Sequence, residues 1–83
     1  MSELTIEEAK WIKSVQRAIN KCPSSRIGFY TIGDRDIVAY DVTKKDAIDL
    51  ENGKQDFTGA VIACDAEFGV DLTFNNSVES TAG

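Results

Sequence analysis

The first clear pattern along the chain is an amphipathic stretch near the N-terminus. Thr5 is followed three residues later by Glu8, the spacing of a capping box that opens a helix. Pro23 ends the pattern, since the residue before a proline avoids the helical region. The pattern predicts a helix over 6–22, with the Trp11 side chain in the core. At about 100° per residue, one side of this helix is apolar, and it holds Trp11, Ile12, Val15, Ala18, Ile19 and Cys22.

The pattern then changes to an alternation typical of strands. Residues 26–32 and 36–42 are rich in β-branched and aromatic side chains and flank the turn sequence Gly-Asp-Arg at 33–35. A hairpin that pairs Ile32 with Ile37 places Phe29 opposite Tyr40, on the face that the helix would cover. The other face would stay open and unusually apolar. We predict an interaction surface there, formed by Tyr30, Ile32, Ile37 and Ala39.

The second half of the chain predicts one short helix and two strands. A weak cap at Thr43 and a stop at Gly53 bound the helix. The apolar run 58–64 and the alternation over 68–74 predict the strands, and the small polar residues 75–83 predict a frayed tail. The expected fold is one α+β domain over residues 1–83. In it, the N-terminal helix packs on a four-stranded, mainly antiparallel sheet, and the second helix lies between the two hairpins.

The length and net charge of the chain limit the classes of function that it can have. A chain of 83 residues supports one core. Nine basic and fourteen acidic residues give a net charge of −5, which argues against a general affinity for nucleic acid or anionic membranes. The charge is uneven: residues 1–30 sum to +2 and residues 31–83 to −7. This asymmetry fits either a dipolar surface that orients a charged partner or an ordinary solvated exterior, and we favour the latter.

The residue types exclude several kinds of site. The chain has no histidine and two cysteines, Cys22 and Cys64, so neither a Ser-His-Asp relay nor a four-ligand zinc site can be assembled. The acidic turn at 34–36 lacks the downstream glutamate of a calcium loop and fits turn chemistry instead. We therefore expect no catalytic, cofactor or metal site and no enzymatic activity. We favour two buried free thiols over a disulfide, which would form only if the fold brought the two Cα atoms within about 7 Å.

No stretch approaches the roughly 18 apolar residues of a membrane span, and the N-terminal residues lack the pattern of a secretory signal. We therefore expect a cytoplasmic protein without membrane partners.

Three segments of the first 34 residues carry a resemblance. The sequences SELT (2–5), EEAKWI (7–12) and KCPSSRIGFYTIGD (21–34) resemble small accessory proteins encoded by temperate phages and prophages of enteric bacteria. The shared features are a helix cap, a proline stop and a turn. The resemblance implies a setting, namely early or accessory phage functions in the bacterial cytoplasm, and it carries over no catalytic residue.

Two functions from different classes fit these observations. The first is a non-enzymatic protein-interaction module, namely a phage-encoded modulator of a host protein. Such a module would bind either a second copy of this chain or a host partner. The second is an acidic nucleic-acid mimic that occupies the DNA-binding site of another protein. A net charge of −7 over residues 31–83 is modest for that role. Direct nucleic-acid binding by the basic side of the helix is less favoured than a solvated face. That side carries Lys10, Lys13, Arg17 and Lys21.

Overall fold

The computed structural model describes residues 2–81, and within them it contains three α-helices, one 3-10 turn and three strands. The strands form one antiparallel sheet in the order β1-β2-β3. The predicted α+β class is confirmed, whereas the prediction of four strands is wrong for the residues described. The elements in chain order are α1 (Ile6–Asn20), β1 (Ile27–Thr31), β2 (Asp36–Asp41), the 3-10 turn (Val42–Lys44), α2 (Lys45–Asn52), α3 (Phe57–Ala63) and β3 (Glu67–Thr73).

The predicted strand over 58–64 is the helix α3. A seven-residue apolar run fits a buried helix as well as a strand, so its ends decide between them. The Asp56 carboxylate accepts a hydrogen bond from the Gly59 backbone N–H at 2.8 Å, which caps the first turn. At the other end, Ala66 donates to the Val61 carbonyl at 2.9 Å while Asp65 adopts a left-handed φ of 54°. These two features form a Schellman-type helix end.

The predicted ends of the other two helices are mostly correct. In α1, Glu8 N–H donates to Thr5 Oγ1 at 3.1 Å and Thr5 N–H donates to Glu8 Oε1 at 2.8 Å, so the capping box is confirmed. The helix ends at Asn20, two residues before the predicted end. Helix α2 stops at Gly53 as predicted, but Thr43 does not cap it, because Thr43 lies in the preceding 3-10 turn.

The core lies between one face of the sheet and the pair α2 and α3. Three aromatic rings, Tyr30, Tyr40 and Phe57, meet edge to face with centroids 5.0 to 5.8 Å apart. Gly28 lies beside the Tyr40 ring, where a larger residue would not fit. We call this side of the sheet the covered face. The buried cluster comprises Tyr40, Ile48, Ala60, Val61 and Ala66.

Helix α1 does not pack into this core, contrary to the prediction. No residue of α1 is buried, and Trp11 is 63% exposed. The sheet face expected beneath α1 is occupied by α2 and α3, and the sequence pattern indicated only the first of these two. The radius of gyration is 15.6 Å, compared with about 12 Å for a compact domain of this length. The molecule is therefore elongated, with α1 outside the packed unit.

The hairpin register differs from the predicted one by one residue. Phe29 pairs with Ala39 and Thr31 with Ile37. The Asp34 carboxylate accepts a hydrogen bond from the Asp36 N–H at 2.8 Å next to Gly33, whose φ is +86°, and this turn lengthens the loop by one residue. Side chains alternate along a strand, so the shift moves those of one strand to the other face.

Residues 75–81 contain no helix or strand and are exposed. The Asn75 carbonyl accepts a hydrogen bond from Arg35 Nη1 at 3.2 Å, which directs the chain back past the hairpin. The predicted frayed tail extends to Ala82 and Gly83, which lie outside the described residues. No helix within residues 2–81 has the length and apolar content needed to cross a membrane.

Candidate interaction surfaces

The face of the sheet opposite the core forms a shallow apolar groove. Directly paired residues share a face, so Phe29 lies next to Ala39 and Ile37 next to Leu72. The Phe29 side chain is 48% exposed and Leu72 is 51% exposed. We call this surface the open sheet face, and its apolar lining comprises Ile27, Phe29, Ala39, Phe68, Val70 and Leu72.

A charged pair closes one end of the groove. The Arg26 guanidinium lies 5.0 Å from the centroid of the Phe68 ring, and its Nε is 3.2 Å from Asp41 Oδ2. Asp41 also accepts hydrogen bonds from the hydroxyl of Thr43 at 2.6 Å and from its N–H at 3.0 Å. The Thr43 hydroxyl contributes most to holding the pKa of Asp41 below its ordinary value, with Arg26 adding to the effect. The Arg26 side chain is more than half exposed, so its cation remains available to a ligand in the groove.

The second unpartnered surface is on α1. Trp11, Ile12 and Ile19 lie on the same side of this helix, and 63%, 47% and 57% of their respective surfaces are exposed. Val15 lies between them and is half-buried. We call these four residues the α1 apolar face. Such a cluster on so small a protein exceeds the scattered exposed apolar residues of an ordinary surface.

The four residues predicted as an interaction surface do not share one face. Tyr30 packs on the covered face against Tyr40 and Phe57. Ile37 and Ala39 lie on the open sheet face, although Ala39 is itself buried at 7% exposure, contrary to the prediction. Ile32 is exposed in the loop after β1. The structure therefore brings together two of the four, and the interaction role of this set stays a prediction.

Sequence reasoning assigned Phe29 to the covered face because it used the wrong hairpin register. It detected the alternation of Phe68, Val70 and Leu72 but assigned that side of the strand to neither face of the sheet. The turn chemistry of Asp34 was the available signal, because an aspartate side chain often accepts a hydrogen bond from the N–H two residues later and so favours turn residues around it.

The cysteines and the carboxylates are the candidates for a thiol or metal site. Both cysteines are free thiols, but Cys22 is exposed and Cys64 half-buried, so the prediction of two buried thiols is wrong. Residues 2–81 contain no group of three or more carboxylates or thiols placed to hold a metal ion. The candidate interaction surfaces are the two apolar surfaces and the charges around them.

Comparisons with protein-family models, with curated proteins and with solved structures find no match to this chain.

Proposed function

We propose that the protein is a non-enzymatic protein-interaction module that binds its partner through the α1 apolar face. The observation that carries the proposal is the exposure of that face, with Trp11 at 63% and Ile19 at 57%. Clustered exposed apolar side chains often mark binding surfaces. Tryptophan is also among the residues that contribute most to binding energy at protein interfaces.

The length of α1 supports this reading. A helix of 15 residues is near the lower limit for stability in water without packing. The capping box of α1 adds some stability, but a helix of this size gains most of it from burying its apolar face. Binding in a groove of another protein supplies that burial, in the mode by which amphipathic helices present residues at i, i+4 and i+7.

The charge of α1 indicates the kind of groove that it fits. Its opposite side carries Lys10, Lys13 and Arg17, so an apolar groove with an acidic rim is complementary to it. The resemblance of residues 2–34 to phage accessory proteins supports a partner in the bacterial cytoplasm. In that setting the protein acts as a modulator of the host protein that it binds, or it binds a second copy of itself.

A pull-down from bacterial lysate with three tagged baits tests the proposal. The baits are the wild type, the double variant Ile12→Gln/Ile19→Gln, and the control Ser14→Gln/Asn20→Gln. Glutamine favours helix more than isoleucine does, so the first variant loses apolar surface and keeps the helix. The control makes two uncharged changes outside the apolar face.

We expect proteins that the wild type and the control retain to be absent from the Ile12→Gln/Ile19→Gln bait. Far-UV circular dichroism verifies the helix content of each bait. Capture of the same proteins by all three folded baits would show that α1 is not the binding element.

A further inference from the structure

The two unpartnered surfaces of the chain match one another in size. Helix α1 has 15 residues and is about 22 Å long. Strand β3 has 7 residues and spans about 24 Å along the open sheet face. A helix of this length therefore covers the apolar groove from end to end.

We propose that the open sheet face of one copy binds the α1 apolar face of a second copy, and that the exchange is reciprocal. The inference rests on the proposed function, because it uses the same helix face, and it identifies the partner as a second copy of this chain. A reciprocal exchange is a closed twofold arrangement in which both apolar surfaces of both copies are covered.

The connector between α1 and β1 favours exchange between copies over closure within one. It spans residues 21–26 and includes Pro23, which fixes its own φ. Cys22 Sγ donates to the Ser24 carbonyl at 3.4 Å, and Arg26 N–H donates to Ser24 Oγ at 3.1 Å. This short, ordered connector holds α1 away from its own sheet. Short hinges that restrain an element favour its exchange.

The charges of the two parts are complementary. Residues 1–30, which include α1, sum to +2, whereas residues 31–83, which include most of the sheet, sum to −7. Opposite net charges on the two parts favour the encounter of the helix of one copy with the sheet of another.

The area also suffices for a specific dimer. A helix about 22 Å long and about 10 to 12 Å wide, docked twice, covers two helix faces and two sheet faces. The total is about 1,000 Å², which is near the lower limit for a specific protein interface. One helix docked once would cover half of that area, so the reciprocal arrangement is the tighter one.

Sedimentation and Trp11 fluorescence, measured over a range of protein concentration, test the association. The chain has a single tryptophan and it lies on the α1 apolar face, so docking buries it and shifts its emission to the blue. We expect a dimer mass and a blue shift that rise together with concentration. A wild type that stays monomeric up to about 1 mM, the weak end of measurable affinity, overturns the proposal.

Two defective variants distinguish helix exchange from other dimers. Val70→Thr/Leu72→Thr removes apolar area from the open sheet face and keeps residues suited to a strand, and Ile12→Gln/Ile19→Gln removes it from α1. Each alone should weaken the dimer by about tenfold or more. A mixture of the two should associate more tightly than either variant alone, because one helix–sheet contact in the mixed dimer is intact and both defects fall in the other contact, where the losses overlap rather than add. Absence of this rescue overturns the exchange, as does loss of association in the control Ser14→Gln/Asn20→Gln.

Lengthening the connector tests the hinge. Insertion of Gly-Ser-Gly-Ser between Ser24 and Ser25 lets α1 reach its own sheet, so we expect a monomer whose Trp11 emission is blue-shifted at every concentration. A dimer that persists in this variant overturns the exchange. A monomeric wild type that still captures a host protein through α1 overturns this inference and leaves the proposed function standing.

Discussion

The two faces of the sheet carry similar side chains but have different neighbours. On the covered face, Tyr40 is packed beneath α2 and α3 with Ile48 and Val61 fully buried behind it. On the open sheet face, Phe29 and Leu72 leave about half of their surface exposed, and α1 leaves its own apolar face exposed as well. The comparison shows that the apolar content of a strand does not determine which face becomes the core. The helices that reach a face within the same chain determine it.

The largest expected effect is a loss of stability when a side chain buried at the covered face is shortened. We expect Ile48→Ala to reduce the free energy of unfolding by about 2 to 5 kcal/mol, because it deletes a fully buried side chain and leaves a cavity. The matched control is Ile6→Ala, since Ile6 is 76% exposed and lies outside the α1 apolar face. The control should change the stability by less than about 0.5 kcal/mol. Urea denaturation followed by circular dichroism measures both, and equal effects would contradict the assignment of the core to the covered face.

A glycine substitution tests how closely the covered face is packed. A Cβ at Gly28 would lie 2.8 Å from Tyr40 Cε1 and in contact with Val42 Cγ2. We expect Gly28→Ala to cost about 1 to 3 kcal/mol through this overpacking. Gly53→Ala is the control, because Gly53 has a helical conformation and its nearest neighbour, the Leu50 carbonyl, is 3.6 Å from the added Cβ. It should be neutral or stabilise by about 0.4 to 1 kcal/mol, and a denaturation midpoint lowered equally in both would contradict the close approach.

The local elements were more predictable than their arrangement. The capping box at Thr5 and the stop at Gly53 are short-range signals whose chemistry is complete within a few residues, and both predictions were correct. The position of α1 depends on whether other helices compete for the same face, which no local pattern contains. Periodicity could not decide between helix and strand for the seven-residue run at 58–64, although the cap at Asp56 could have identified the helix.

The candidate surfaces were likewise predictable in their local elements but not in the arrangement of those elements. The hairpin was correctly located, but one extra residue in its turn moved Tyr30 from the predicted surface into the core. Register depends on turn geometry at atomic detail, and a shift of one residue reverses the face of every side chain on one strand. An apolar sheet face without a covering helix was therefore predictable, whereas only Ile37 and Ala39 of the four residues predicted for it lie there.

The α1 cap gives a smaller effect that is confined to the helix. Thr5→Ala removes the hydroxyl that accepts from Glu8 N–H, a change expected to cost about 0.5 to 2 kcal/mol of helix stability. Because α1 lies outside the core, the loss should appear as faster hydrogen exchange of the α1 amides at low protein concentration. The exchange of the β2 amides should not change. Equal acceleration in α1 and β2 would show that the helix and the sheet unfold as one unit.

The smallest expected effect is the loss of stability at acid pH. It is compared for one carboxylate in α1, Glu8, and one at the end of the sheet, Asp41. The N–H of Thr5 lowers the pKa of Glu8 below its ordinary value of 4.5, and the Thr43 hydroxyl lowers that of Asp41 below 3.8. A carboxyl whose pKa is lower in the folded state contributes stability above its unfolded pKa, and it loses this contribution as the pH falls through its folded pKa. Both contributions should therefore be present at neutral pH and decline below about pH 4.5 and pH 3.8, respectively.

Glu8 stabilises α1, whereas Asp41 stabilises the end of the sheet. An acid titration can therefore follow the unfolding of each part separately. Protonation of Glu8 weakens the cap, so Glu8→Gln should reduce the pH dependence of α1 helicity and leave that of sheet unfolding unchanged. Asp41→Asn should have the opposite pattern, because Asp41 joins the 3-10 turn to Arg26 at the end of the sheet. The effect of Asp41 stays modest because its partner Arg26 is exposed, and solvent screens the pair. Circular dichroism reports the helix and near-ultraviolet signals of the tyrosines report the core. If either substitution alters both pH profiles equally, then α1 and the core unfold together within a single chain. That result would contradict the position of α1 outside the core, with its apolar face exposed.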